Sequence, residues 1–403
     1  MDPIRNPFAP GAGSQPPALA GRQAIVEDAR IAVHRVLQGR PSQSQLLLGL
    51  RGVGKTVLLN RIEELALDAG YLTSFMEAPE DRTLPDLLYP KLQQILRKLS
   101  VIEDAKATAI AALRALKAFA STFKIQVGDV VSIAYEPDVG TADSGHLDVD
   151  LPELFLLVGA AARAAGKGWA LLIDEVQYLS ARDLSALIVS LHRSNQKNLP
   201  VIFFGAGLPQ LAGMAGNAKS YAERLFTFPV VDALDTNAAH EAIRRPIENE
   251  EEQITASAVD QIVKKTKGYP YFLQEWGFQA WNIAQDSGVI HADIAPATKA
   301  AIRRLDDGFF NVRLERLTPK ERDYVYAMAS LGDGPYRSND VAHRLGKSTQ
   351  SLGPCRAKII GKGMIYSPAH GDLAFTVPMF ADFLRRNFTA QVQALHTQSK
   401  KNN

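Results

Sequence analysis

The sequence predicts an α/β fold in which a parallel sheet is sandwiched by helices, followed by a helical segment and a small C-terminal module. Three observations carry this. "WALLIDE" and "PVIFFGAG" are short, almost wholly apolar runs, as strands covered on both faces by helices require. "LLLGLRGVGKTVLLN" passes from an apolar strand through a glycine-punctuated loop into a helical pattern. From Asp235 the apolar spacing turns helical, and from about Leu314 the composition changes again. At 403 residues the chain is long enough for two or three domains.

Taken in order, residues 1–21 are rich in Pro and Gly and read as an extended arm, with no apolar core of signal-peptide length. Arg22 to Leu37 carries Ile25, Ala29, Ala32, Val33 and Val36 at helical spacing. Gln45 to Leu48 is a strand, Lys55 to about Ala69 a helix, and Tyr71 to Ala78 a second strand. Roughly Leu84 to Phe119 reads as a helical stretch, and Phe123 to Pro137 alternates around Gly128-Asp129, a hairpin signal. Asp150 with Pro152 marks the start of a helix to about Ala165. Phe226 to Val231 is a candidate fifth strand, and the acidic "IENEEEQ" a solvated connection.

The expected domains are a core over 22–234 with an insertion at about 84–149, a helical lid over 235–313, a C-terminal module over 314–390 and a disordered tail over 391–403. The single cysteine, Cys355, excludes an intramolecular disulfide and a cysteine zinc cluster, and reads as a small apolar filler. The most apolar stretch, Leu154 to Ala162, is broken by Arg163 and Lys167 well short of a membrane span, so a cytoplasmic protein without membrane contact is expected. A net charge of +2 says little about partners, because local charge matters more.

Gly49 to Thr56 reads G-L-R-G-V-G-K-T, a match to G-x-x-x-x-G-K-[ST]. Glycines let successive backbone N–H groups converge on phosphate oxygens, and the following helix directs its positive end at the same charge. The expected nucleotide-binding residues are therefore Gly49, Arg51, Gly52, Val53, Gly54, Lys55, Thr56 and Val57. Lys55 would neutralise the β- and γ-phosphates, and Thr56 would offer its hydroxyl to Mg²⁺. Asp174, at the end of "LLIDE", would hold the metal, and Glu175 would polarise an attacking water. Alone, such an acid pair is equally a helix N-terminus that favours acids. Beside a phosphate loop it points to ATP and Mg²⁺.

The motifs "GLRGVGKT", "LLIDEVQYL", "FFGAGLPQL", "SYAERLF" and "GYPYFLQ", in this order, resemble those of AAA+-class P-loop ATPases. The resemblance is to the group near the archaeal-type ATPases, the origin-recognition initiators and the STAND switch ATPases, and covers roughly Leu19 to Phe388. It implies that "PPALAGR" places Leu19 to Arg22 near the adenine, a plain linker being the alternative. It implies that Arg224 is an arginine finger completing a neighbouring subunit's site, hence a homo-oligomer, the alternative being a surface ion pair. Pro270 in Gly268-Tyr269-Pro270 resembles the glycine-x-proline lid motif of the STAND group.

There are two departures. Gly205-Ala206-Gly207 stands where many of these enzymes place a polar sensor of the γ-phosphate, and the lid lacks an obvious second-sensor arginine. Slow hydrolysis is expected. Gln177, His192 and Gln196 are polar substitutes in the region, but residues of this kind are more often structural.

In the C-terminal module, "LTPKERDYVYAMASLG" starts a helix at Thr-Pro with Val325, Met328 and Leu331 on one face. "SNDVAHRLG" gives a short helix capped by Ser338, a third begins near Pro354 and ends at Gly361 or Gly363, and "IYSPAHGDLAFTV" reads strand, turn, strand. This is the pattern of a winged helix. Arg337, Arg344, Lys347, Arg356, Lys358 and Lys362 stand against the single acid Asp340, an electrostatic footprint for phosphates. Arg356 and Lys358 are the leading DNA-binding candidates, with Lys347 and, in the preceding turn, Ser348, Thr349 and Gln350. Tyr366 and Phe375 read as wing core.

The expected function is an ATPase that couples Mg-ATP binding and hydrolysis to conformational change and to duplex DNA binding. The alternative is a STAND-like switch controlled by ADP/ATP exchange and a protein partner, with the winged helix as a latch. The 123–137 segment would be a partner contact or a cap over an edge strand. A metabolic kinase is disfavoured, because no second carboxylate or acceptor-pocket motif follows.

Overall fold

The computed structural model describes residues 1–11, 19–125, 140–285 and 288–391. The chain divides into two compact units, a sheet unit (Arg22–Gly49 and Lys55–Val231) and a helical unit (Met1–Gly21, Leu50–Gly54 and Asp232–Asn403). Among the described residues no helix is long and apolar enough to cross a membrane.

In the sheet unit, β1 (Ser44–Leu48), β2 (Tyr71–Glu77), β3 (Gly168–Asp174), β4 (Val201–Gly207) and β5 (Phe226–Thr227) form one parallel sheet in the order β2-β3-β4-β1-β5. Every residue of β1, β3 and β4 is buried, which is why these runs do not alternate. Leu48 pairs with Gly207 and Ile173 with Gly205, so the carboxyl ends of β1, β4 and β3 lie side by side. That edge is where open α/β sheets bind ligands. β5 is shorter than the expected Phe226–Val231. Pro229 has no N–H for the ladder, and pairing resumes only as an isolated bridge between Leu48 and Val230.

α1 (Gln23–Leu37), α2 (Lys55–Asp68), α5 (Leu147–Ala164), α6 (Ala181–Gln196), α7 (Leu211–Ala218) and α8 (Ala222–Leu225) complete the unit with α3 (Leu84–Ser100) and α4 (Glu103–Thr122). The helical stretch expected from about Leu84 to Phe119 is divided into two helices. Ile102 is extended, and Glu103 and Asp104 in the first turn favour a new N-terminus. α4 packs against both α3 and α5.

α5 starts before Asp150, contrary to expectation, because Asp150 has another task. Fully buried, its carboxylate accepts hydrogen bonds from Ser144 N (3.1 Å), Ser144 Oγ (2.7 Å) and Gly145 N (2.9 Å), pinning the preceding turn. Asp150→Ala is expected to cost roughly 2 kcal/mol, read as a lower urea midpoint, because those donors lose a charged acceptor. Within the 123–137 segment, residues 126–137 lie outside the described residues.

In the helical unit the first described residues of the expected arm hold a short turn and a buried anchor. Pro3–Arg5 is a 3₁₀ turn capped by Asp2, and Phe8 is 2% exposed against Gly277, where a Cβ would come within 2.6 Å of its ring. Trp281 Nε1 donates to Asp2 O at 2.7 Å. Burial of Phe8 anchors this end of the chain.

α9 (Thr236–Asn249), α10 (Ala256–Thr266), α11 (Pro270–Ile283) and α12 (Ile294–Arg304) follow, with β6 (Gln253–Ile254) pairing parallel to β7 (Gly288–Val289). Ile247–Asn249 complete α9, so the solvated connection is shorter than "IENEEEQ". A π-helical turn, Leu305–Phe310, leads into α13 (Asn311–Glu315).

The C-terminal module holds α14 (Pro319–Ser330), β8 (Tyr336–Arg337), α15 (Ser338–Arg344), α16 (Gly353–Gly361), β9 (Ile365–Tyr366), β10 (Asp372–Phe375) and α17 (Phe380–Asn387). Its strands form a sheet in the order β8-β10-β9. Ser338 is the first residue of α15 and not its cap, since Arg337 is the extended residue before it. Val325 and Met328 are fully buried, whereas Leu331 caps α14 and is half-buried. Phe375 packs on Tyr336 and Phe380, with ring centroids 5.7 and 5.4 Å away. The tail from 392 onward lies outside the described residues.

Candidate functional site

Lys55 opens α2 directly after the glycine loop and is 5% exposed, its Nζ donating to Gly49 O at 2.9 Å. One residue on, Thr56 Oγ1 donates to Asp174 Oδ2 at 2.5 Å. Asp174 ends β3, is also 5% exposed, and takes Glu175 N on its other oxygen at 2.8 Å. Burial pushes the Asp174 carboxyl up from the usual range, and the Thr56 hydroxyl opposes this by bonding the charged form. A cation beside this carboxylate would stabilise the charged form.

The Thr56 hydroxyl and Asp174 carboxylate are hard oxygen donors brought together, the donor set that suits Mg²⁺ when phosphate oxygens complete the shell. Val57, half-buried, lies in the same first turn of α2.

Glu175 has φ 53° and ψ 37°, a left-handed conformation rare for a residue with a side chain. Its carboxylate accepts a short hydrogen bond from Gln177 Nε2, while Gln177 Oε1 accepts from Leu208 N at 3.1 Å. From the sequence alone Gln177 reads as more often structural. The local signal was its place two residues after Glu175, but Leu208 lies 31 residues further on. His192 and Gln196, the other polar substitutes, face each other at 3.1 Å on α6, with His192 against the Tyr221 ring at 4.5 Å.

Within the helical unit, Gly52 and Gly54 have φ of 87° and 95°, values that demand glycine. Val53 between them is 1% exposed. Arg51 N donates to Thr376 O at 3.2 Å, Arg51 O accepts a short bond from the Tyr269 hydroxyl, and Gly52 O accepts from Tyr271 N at 3.1 Å. Pro270, at the first position of α11, lies between these two tyrosines. Burial raises both tyrosine pKa values, so the hydroxyls stay protonated and Tyr269 remains a donor. A Cβ on Gly268 would sit 2.3 Å from Leu234 O, which accounts for the glycine of "GYP".

Arg22 immediately precedes α1 in the sheet unit. Residues 16–18 of "PPALAGR" lie outside the described residues. Arg224 is exposed on α8, and among the described residues its guanidinium forms no ion pair. Its carbonyl accepts from Gln43 Nε2 at 3.0 Å.

The C-terminal cation cluster is smaller than its sequence suggests. Arg337 pairs with Asp372 at 3.1 Å, and Lys362 Nζ bonds Glu321 Oε2 and Arg316 O, both at 2.7 Å. Burial would raise the Glu321 carboxyl, but the bonds from Lys362 and Thr318 outweigh it and hold the pKa below the usual range. Lys347 and Lys358 are exposed, Arg356 is half-buried, and Thr349 Oγ1 contacts Asn339 Oδ1 at 3.4 Å.

Residues 18–204 match the family described as the AAA ATPase domain, and residues 307–384 match a domain family of unknown function, DUF8462. A search of curated protein sequences finds no match. Among solved structures, the Walker-type ATPase PABY2304 of Pyrococcus abyssi is similar, with 16% identity and a TM-score of 0.57 over 91% of this chain and 96% of that one. The ORC1 protein of Aeropyrum pernix, solved in complex with DNA, is similar with 15% identity and a TM-score of 0.50 over 96% of this chain and 98% of that one. At such identities the likeness is one of fold, and it agrees with a parallel sheet carrying a phosphate-loop sequence at the end of β1.

Proposed function

We propose that the chain is an ATP-binding ATPase of the AAA+ class in which Mg-ATP binding and slow hydrolysis drive a conformational change and duplex DNA binding. The observation that carries this reading is the convergence of Lys55, Thr56, Asp174 and Glu175 at the carboxyl ends of β1 and β3. Loop N–H groups and Lys55 would take the phosphates, and Thr56 with Asp174 would hold Mg²⁺, which supplies charge neutralisation at the transferring phosphoryl group. Glu175 would polarise the attacking water. Leu19 to Arg22 would lie near the adenine, Pro270 would act as the nucleotide-binding residue of the lid motif, and Arg224 would reach a neighbouring subunit's site. The proposed domains are the core over 22–234, the lid over 235–313 and a winged helix over 314–390.

DNA binding is supported by the exposed Lys347 and Lys358 with Arg356 and Thr349, and by the fold likeness to an ORC1 protein in complex with DNA. Binding of a labelled duplex, measured with Mg-ATP and with Mg-ADP across a salt series, tests it. The double variant Arg356→Ala, Lys358→Ala should weaken affinity about tenfold or more and reduce the salt slope by about 2. An unchanged slope and affinity would remove DNA from the reading.

One observation favours a second reading, a STAND-like switch. The segment Leu50–Gly54 bonds to Thr376, Tyr269 and Tyr271 of its own unit. Under this reading ADP keeps these contacts closed and a protein partner, for which the 123–137 segment is a candidate surface, opens them. Protein purified free of nucleotide, with weak ADP affinity, contradicts it.

A further inference from the structure

We infer that Gln177 is the positioning residue for Glu175, tying its carboxylate to the end of β4, where Gly205-Ala206-Gly207 offers no polar side chain. The inference rests on the ATPase reading, because it concerns how Glu175 is aimed. Leu208 N–H can only donate, so the amide oxygen of Gln177 must face Leu208 and its NH₂ must face Glu175. The orientation of the amide is therefore set by the backbone.

Gly207 makes room for this. A Cβ there would lie 2.5 Å from Gln177 Oε1 and 2.8 Å from Leu211 Cδ2, so a side chain at 207 would expel the amide. The same strand end is tied to the start of the phosphate loop, since Gly49 N donates to Gly207 O at 3.0 Å. Glu175 itself, left-handed between β3 and a 3₁₀ turn, is not aimed by a regular element. Its direction is fixed from outside by the Gln177 amide. A group that must polarise a water has to be held within hydrogen-bond reach, and a misplacement of about 1 Å costs on the order of 100-fold in rate.

The test uses the full chain with two variants. Gln177→Met keeps the length and removes both hydrogen bonds, whereas Gln177→Glu keeps the acceptor for Leu208 and removes the donor to Glu175. Amide hydrogen exchange at Leu208, ATP affinity and steady-state hydrolysis are measured for each. Exchange at Leu208 should accelerate in Gln177→Met and stay near wild type in Gln177→Glu. In both, kcat should fall about 10- to 100-fold while ATP Kd changes by less than about threefold.

A purely structural role predicts wild-type kcat for Gln177→Met even where Leu208 exchange is faster. If Gln177→Met shows faster Leu208 exchange with wild-type kcat, or Gln177→Glu hydrolyses ATP like wild type, the inference is overturned and the ATPase reading stands. A wild-type chain that binds ATP without hydrolysing it overturns the hydrolysis reading, and the inference with it.

Discussion

Lys55→Met should abolish measurable ATP binding while leaving the fold intact. The ammonium is buried beside Gly49 O in the sheet unit, and under the proposed reading its charge neutralises the phosphate chain. Losing one partner of a desolvated charge pair costs about 2–5 kcal/mol, which is roughly 30-fold to several-thousand-fold in affinity. The fold should tolerate the change, because an apolar side chain of similar length replaces a buried cation and spares its desolvation penalty. Equilibrium titration with a fluorescent ATP analogue, alongside a thermal melt, separates the two effects. A melt near wild type with no ATP affinity is the expected pair of results.

Glu175→Gln should do the opposite, keeping ATP and losing turnover. The amide has nearly the shape of the carboxylate and can still accept from Gln177 Nε2 through its oxygen, so the local geometry is preserved. It cannot take a proton from water. Loss of a general base of this kind typically lowers the rate by about 100- to 10,000-fold. Single-turnover phosphate release with preloaded ATP isolates the chemical step from nucleotide exchange. If Glu175→Gln hydrolyses at the wild-type rate, Glu175 is not the base, and the left-handed turn that holds it needs another explanation.

Much of the sheet unit was legible in sequence because its signals are local. Strands buried on both faces must be apolar throughout, so β3 and β4 stand out, and a phosphate loop needs glycine at φ values near those of Gly52 and Gly54. The acids of "LLIDE" were legible for the same reason, lying where an apolar run ends.

What could not be read depends on partners distant in sequence. Lys362 reads in sequence as part of a phosphate-binding cluster, but Glu321, 41 residues earlier, lies beside it in the fold. Phe8 reads in sequence as part of an extended arm, because nothing near it announces Gly277. Asp150 has the composition of a helix start, but its carboxylate is spent on Ser144 and Gly145. The hydrogen bonds that Arg51 and Gly52 share with Tyr269, Tyr271 and Thr376 follow the same rule, being invisible until the fold brings those residues to the loop.

The most direct test of the central claim is phosphate release from ATP by the purified wild-type chain, with Mg²⁺ and with a chelator in excess. Saturable release that requires Mg²⁺ and disappears in Lys55→Met is the predicted result. No ATP binding and no release under either condition would contradict it, leaving the phosphate-loop sequence as a strand-to-helix turn with a buried lysine.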